Sequence, residues 1–206
     1  MAITFDLFGT LVRATTPGDP ARAVADELTA RGVAVPDDWG AAYREPHVDA
    51  PGGAEVPLPA HVAAALRSRG VDAPANAARR AVVAAFDPDV ETVPGAPGAV
   101  AAAAARGPIA VCSNCSVPEL AARALVRADV DRALFDAVVT SVACGWRKPD
   151  ARIFEATART LDVPPDSLLH VGDDPRTDAG VEAVGGRFLD VADVPLTEFP
   201  DWLEGG

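Results

Sequence analysis

Lysine, methionine and tyrosine each occur once in these 206 residues, and cysteine only three times. The odd set Cys112, Cys115 and Cys144 rules out a disulfide framework and reads as free thiols in a reducing interior. A zinc site would need a second pair beside Cys112-x-x-Cys115, and a thioredoxin-like pair would open a helix. Cys112 instead ends the apolar run Pro108-Ile109-Ala110-Val111-Cys112, where it reads as a small buried strand residue. Long apolar runs are missing as well: the longest, Ala99 to Ala105, spans seven residues, against the roughly 18 to 20 needed to cross a bilayer. No basic region or leader of signal-peptide length precedes Ala2-Ile3-Thr4-Phe5, so secretion is not expected and a cytoplasmic location is.

Positive charge is also scarce. Eighteen basic residues face thirty acidic ones, a net charge of -12. That field opposes approach to nucleic-acid phosphates or anionic lipid, so neither is expected as a partner. All of the basic residues except Lys148 are Arg, which suggests a GC-rich coding bias or adaptation to high salt. With 49% hydrophobic and 23% charged residues, the chain reads as one compact globular domain with room for a sub-domain.

Short apolar runs with β character recur at 2–6, 108–112, 136–140, 167–171 and 186–191. Helical patterns at 117–127, 150–162 and 175–184 separate the last four, an alternation that predicts a parallel sheet with right-handed crossovers. Pro149-Asp150 and Pro175 supply helix-start chemistry. Between the first two strands lie about a hundred residues without a convincing strand, with helical segments near 19–31, 39–45, 57–69, 74–86 and 95–106. Pro17-Gly18 and the stretch from Asp87-Pro88 to Pro94-Gly95 bracket most of them like hinges.

In an open α/β sheet, ligands bind at the carboxyl ends of the strands. The chain's polar residues fall there: Asp6-Leu7-Phe8-Gly9-Thr10 after the first strand, Ser113-Asn114 after the second, Lys148 beyond the third, and Gly172-Asp173-Asp174 after the fourth, with Asp178 following. Asp6, Asp173, Asp174 and Asp178 would crowd one pocket with only Lys148 to oppose them. An anionic substrate would be repelled unless a divalent cation such as Mg²⁺ intervened. A chain that otherwise uses Arg keeps its one Lys in this position, as a compact ammonium site requires.

These four ordered motifs, a strand-end Asp with Gly-Thr, a Ser, a Lys and an acidic pair, resemble the haloacid dehalogenase-like (HAD) hydrolase superfamily over residues 1 to about 191. The resemblance implies a doubly wound, Rossmann-like α/β core of residues 1–14 and 92–206, with an inserted α-helical cap of residues 15–91 that closes over the substrate. It implies Asp6 as nucleophile, forming a covalent aspartyl intermediate that water hydrolyses. Ser113 and Lys148 would hold the transferring group's oxygens, and Thr10 and Asn114 would assist at the substrate. Mg²⁺ would be held by Asp6, the backbone carbonyl of Phe8 and Asp173, with Asp174 and Asp178 as supporting acids or partners of Lys148. The substrate would be a small anionic molecule and the protein a monomer or homodimer.

Phe8 departs from the family pattern, because phosphatases of this family generally carry there a second Asp that protonates the leaving group. General acid catalysis is typically worth 10² to 10⁴ in rate. Its absence points to leaving groups that need no proton, or to an acid from the insertion, such as His47 or His61. Asp-x-aromatic-Gly-Thr resembles the 2-haloacid dehalogenase branch, in which Arg44 would be the candidate receiver of substrate carboxylate and halide. That branch acts without metal and replaces the acids that Asp173 and Asp174 retain, so a Mg²⁺-dependent phosphatase is the favoured expectation. A carbon–halogen hydrolase and a catalytically degenerate binding module remain as alternatives. His170, inside an apolar run, reads as a core residue, and Trp146 as pocket wall.

Overall fold

The computed structural model describes residues 1–205. Its centre is a five-stranded parallel sheet in the order β5-β4-β1-β6-β7. The strands are β1 (Ala2–Phe5), β4 (Ile109–Ser113), β5 (Ala137–Thr140), β6 (Leu168–Gly172) and β7 (Arg187–Asp190). The chain starts in the middle, builds outward through β4 and β5 on one side, then returns to β6 and β7 on the other. The strand order reverses beside β1, the point at which open α/β sheets bind ligands.

Alternate residues of these strands face opposite layers, as the pleat requires. Ile3, Phe5, Ile109, Val111, Leu169 and Val171 pack against α5 (Ala96–Ala104), α6 (Leu120–Arg127) and α10 (Phe199–Gly205). Ala2, Ala110, Cys112 and Leu168 face the other way, onto Ile153, Phe154 and Ala158 of α8 (Ala151–Thr160). Asp150 caps α8, its carboxylate accepting from the Arg152 N–H, and the buried residues at 153, 154, 157 and 158 follow helical spacing. Burial pushes the Cys112 thiol up to about 11, and all three cysteines are free. Among the described residues no helix is long and apolar enough to cross a membrane.

A third apolar cluster lies within the insertion. It joins α1 (Pro20–Thr29), α2 (Trp39–Arg44), α3 (Leu58–Ser68) and α4 (Ala77–Ala85) through Val24, Leu28, Trp39, Ala42, Val62, Leu66, Ala81 and Val82. Cys115 and Val117, from the segment after β4, belong to the same cluster. Asp19 caps α1 with Pro20 at its first position, the start chemistry expected of a helix.

Three expectations need correction. The stretch between the first two predicted strands does contain strands: β2 (Val12–Ala14) and β3 (Val90–Thr92), at the two ends of the insertion, pair antiparallel, with Val12 opposite Thr92. Three residues are too few for alternation to register as a strand. The helix predicted at 175–184 is one α turn, α9 (Pro175–Asp178), continued as a 3₁₀ stretch from Ala179 to Val184. The helix predicted from 117 begins at Leu120, because Glu119 adopts a left-handed φ of 67°.

The helical layer has its own core, so losses there should register locally. Leu66, fully buried in it, should cost about 2–5 kcal/mol on replacement by Ala. In L66A, hydrogen exchange should accelerate more in residues 20–85 than in β1, β4 and β6. Equal acceleration throughout would show that the two layers unfold as one unit.

Candidate active site

Three strand ends converge at the carboxyl edge. Asp6 directly follows β1 and its N–H donates to Val171 O at 2.8 Å, tying it to the end of β6. Ser113 closes β4, and Asp173 follows β6. The turn after Asp6 is fixed by the Leu11 and Val12 N–H groups, both donating to Leu7 O at 2.9 Å. Gly9 within it has φ 97°, and a Cβ there would lie 2.2 Å from Asp173 Oδ2. Only glycine lets this turn pass so close to the acid.

Lys148 is the hub. Its ammonium, 1% exposed, lies 2.9 Å from Asp6 Oδ1 and 2.5 Å from Asp178 Oδ1, with His170 Nε2 at 3.4 Å. The approach to Asp6 Oδ1 lacks hydrogen-bond directionality, leaving that oxygen without a hydrogen-bond partner. Burial pushes the ammonium down, but the charges of Asp6 and Asp178 more than offset it and hold it above the ordinary lysine value. Burial raises the Asp178 carboxyl in turn, and the His170 hydrogen bond with the Lys148 charge takes it well below its ordinary 3.8.

His170 is the functional neighbour that sequence reasoning missed. It is fully buried as expected, but it also touches the charges, with Nε2 3.2 Å from Asp178 Oδ1 and Nδ1 2.9 Å from Thr4 Oγ1. Thr4 and His170 are paired across β1 and β6. Burial, reinforced by the Lys148 charge, lowers the imidazole's pKa and keeps it neutral. A proton on Nε2 serves Asp178 and leaves Nδ1 to accept from the Thr4 hydroxyl.

Asp6, Asp173 and Asp178 each offer a carboxylate oxygen, and these oxygens lie within 4.8 Å of one another. Such a group of hard oxygen donors fits Mg²⁺. Burial raises the Asp173 carboxyl, and the charges of Asp6 and Asp178 add to the effect against the Thr10 hydrogen bond, a repulsion that a cation would relieve. Both Asp178 oxygens are already engaged, Oδ1 by Lys148 and Oδ2 by the Asp174 N–H at 3.0 Å. Asp6 and Asp173 are therefore the freer donors. Ser113 Oγ, at the end of β4 next to β1, is buried without a hydrogen-bond partner.

Several expected site residues have other engagements. Thr10 donates to Asp173 Oδ1 at 2.8 Å, so it orients an acid rather than meeting substrate. Asn114 is clamped to the Lys148 backbone: its Nδ2 donates to Lys148 O at 3.0 Å and its Oδ1 accepts from Lys148 N–H at 2.7 Å. Asp174 falls outside the group of three acids. It caps α9 through the Arg176 N–H and pairs with the Arg176 guanidinium at 2.9 Å, because a residue opening a helix turns its carboxylate toward that helix's free N–H groups.

Arg44 is exposed at the end of α2, and Trp146 is stacked under the Arg152 guanidinium. The His47 and His61 rings lie 5.7 Å apart at an interplanar angle of 41°, with Nε2 bonded to Ala42 O and Tyr43 O respectively. None of these four lines the cavity of about 300 Å³ that opens beside Phe8 and Asn114.

The chain belongs to the haloacid dehalogenase-like hydrolases, whose family model matches residues 1–181. It is similar to haloacid dehalogenase-like hydrolase domain-containing protein 3 of Bos taurus, 46% identical over 64 residues, which are 30% of this chain and 26% of that protein. The match thus spans about a quarter of that curated relative's length. Among solved structures, it resembles a 2-haloacid dehalogenase from Pseudomonas syringae pv. Tomato DC3000, with TM-score 0.64 and 19% identity over 99% of this chain and 98% of that one. It also resembles CbbY from Rhodobacter sphaeroides in complex with phosphate, with TM-score 0.57 and 24% identity over 91% and 84%. At these identities the two structures establish a shared fold.

Two consequences follow from the charge arrangement. Lys148→Ala leaves Asp6 and Asp178 without their buried counter-charge and should lower unfolding stability by about 3–5 kcal/mol, measured by urea denaturation. A change within about 0.5 kcal/mol would refute the pairing.

The depressed Asp178 carboxyl contributes stability that is complete above its unfolded value of 3.8 and is lost as pH falls through its lower folded value. Melting curves of the wild type and Asp178→Asn should therefore differ most near neutrality and converge on acidification. A gap independent of pH would contradict this sign.

Proposed function

We propose that this hydrolase is a Mg²⁺-dependent phosphatase acting through an aspartyl-phosphate on Asp6. The observation that carries the reading is the acid group of Asp6, Asp173 and Asp178 beside a buried ammonium. Carboxylates kept this close favour a cation-assisted reaction over a metal-free one. Mg²⁺, held by Asp6, Asp173 and the Phe8 carbonyl that the family resemblance implies, would neutralise phosphoryl charge and polarise the group under attack.

In this reading, the Asp6 carboxylate attacks phosphorus and the bond from phosphorus to the leaving oxygen breaks, that oxygen taking the electron pair. Lys148 pairs with Asp6, and with Ser113 it binds the phosphoryl oxygens. Thr10 holds Asp173 in position, and Asn114 sets the height of the Lys148 backbone. Water then cleaves the acyl phosphate, returning Asp6 as a carboxylate, releasing phosphate and giving its proton to solvent. With Phe8 in place of an acid, the leaving group departs as an anion and takes its proton from water.

The Phe8 substitution and the likeness to a 2-haloacid dehalogenase support a second reading, carbon–chlorine hydrolysis. Against it stands the cavity wall, where among the described residues no cationic side chain is present to receive a substrate carboxylate.

Asp6→Asn should reduce release of phosphate from p-nitrophenyl phosphate by at least about 10³-fold. EDTA should abolish the wild-type reaction and Mg²⁺ restore it. Chloride release from 2-chloropropionate that persists in EDTA would overturn this reading in favour of the second.

A further inference from the structure

We infer that the leaving part of the substrate is uncharged and apolar, so that the transferred phosphoryl group is the substrate's only anion. This rests on the phosphatase reading and narrows its substrate class. The cavity of about 300 Å³ is lined by Phe8, Phe86, Pro88, Val117 and Leu120 together with the hydroxyl-bearing Thr15, Thr16 and Ser116; Phe8 lies two residues beyond Asp6, and Asn114, which also lines it, directly follows Ser113. Among the described residues, no charged side chain lines it. A second phosphate or a carboxylate on the substrate would have to leave water here without a counter-charge, in a protein of net charge -12.

The arginines on the adjoining helix are not free to supply one. Arg123 donates to Asp87 Oδ1 at 2.9 Å and to Phe86 O at 2.8 Å. Arg127 lies 2.7 Å from the same Asp87 oxygen and donates to Pro88 O at 3.1 Å. Both guanidinium groups are spent on the strand-entry segment 86–88, whose Phe86 and Pro88 form the apolar wall. Arg44, the cation expected from the sequence to receive a carboxylate, does not line the cavity.

Phe8 supports the same conclusion from the chemical side. It sits two residues after the nucleophile and forms part of the wall, offering the leaving group an aromatic face and no proton. A group that is both apolar and able to depart as a stabilised anion fits both constraints, as a neutral aryl phosphate does and a sugar or hydroxy-acid phosphate does not.

The test compares phenyl phosphate with 4-carboxyphenyl phosphate, which share an aryloxide leaving group and differ by one remote charge. Wild-type kcat/KM should favour phenyl phosphate by about tenfold or more, as expected for an unpaired charge in a partly desolvated pocket. Thr16→Arg places a cation at the exposed margin of the cavity and should narrow that preference by raising kcat/KM for the carboxylated ester. Because the preference is a ratio within one sample, it does not depend on how much of the variant folds.

A wild-type preference near one, or reversed, with Asp6-dependent turnover of both esters would overturn the apolar-substrate inference and leave the phosphatase reading standing. Preference for phenyl phosphate that Thr16→Arg leaves unchanged would overturn the electrostatic account of the wall. No Asp6-dependent phosphate release from either ester would overturn the phosphatase reading, and this inference with it.

Discussion

One buried ammonium decides whether the carboxyl edge of this sheet can exist. Lys148 is enclosed between Asp6 and Asp178 with a neutral imidazole beside it. Its own desolvation is unfavourable, and two carboxylates are needed to keep it charged. The carboxylates in turn would repel one another without it. A guanidinium could not take its place. Lysine concentrates its charge on one atom, which lies close to Asp6 and Asp178 at once, whereas arginine's planar fork suits a single flat acceptor. A chain that uses arginine everywhere else keeps lysine where that geometry is required.

The backbone brings these groups together before any side chain is chosen. Parallel strands β1, β4 and β6 all end at one edge, and reversal of strand order beside β1 leaves a cleft there. Parity does the rest. Thr4 and His170 share a rung and face the α8 layer, so the imidazole rises from inside the core to meet Asp178 at the start of the next crossover. The hydroxyl of Thr4 thereby carries the rigidity of the sheet into the charged site. The third acid, Asp173, receives its orientation from the opposite direction, through Thr10 and the turn that Gly9 permits.

The strand ends were legible in the sequence because polar residues interrupt apolar runs at those points, which put Asp6, Ser113 and Asp173 at the carboxyl edge, where Lys148 and Asp178 join Asp6 from the segments that follow β5 and β6. A motif specifies residue type and position along the chain, but not which way a side chain turns. Asp174 is adjacent to Asp173, yet opening α9 commits its carboxylate to that helix and to Arg176. Asn114 follows Ser113, yet its amide matches the backbone donor and acceptor of Lys148. His170 was hidden for the opposite reason: an imidazole inside an apolar run carries no signal of the charge beyond its far nitrogen. The four insertion helices announced themselves by apolar spacing, while the ribbon that joins them to the sheet was too short to do so.

Phe8 ties the chemistry to the architecture. Its ring packs against both the sheet core and the helical layer, and it also walls the cavity. An aspartate at this position would offer a proton to the leaving group but would place a carboxylate where two apolar clusters meet, next to three acids that already crowd one another. The phenyl ring avoids that repulsion and packs against both clusters. The same exchange narrows the chemistry. In the proposed phosphatase reaction, a site with a phenyl ring in this position would draw its rate from stabilising the charge on the phosphoryl oxygens and from a leaving group that departs as an anion, so one residue would bear on both substrate choice and layer packing.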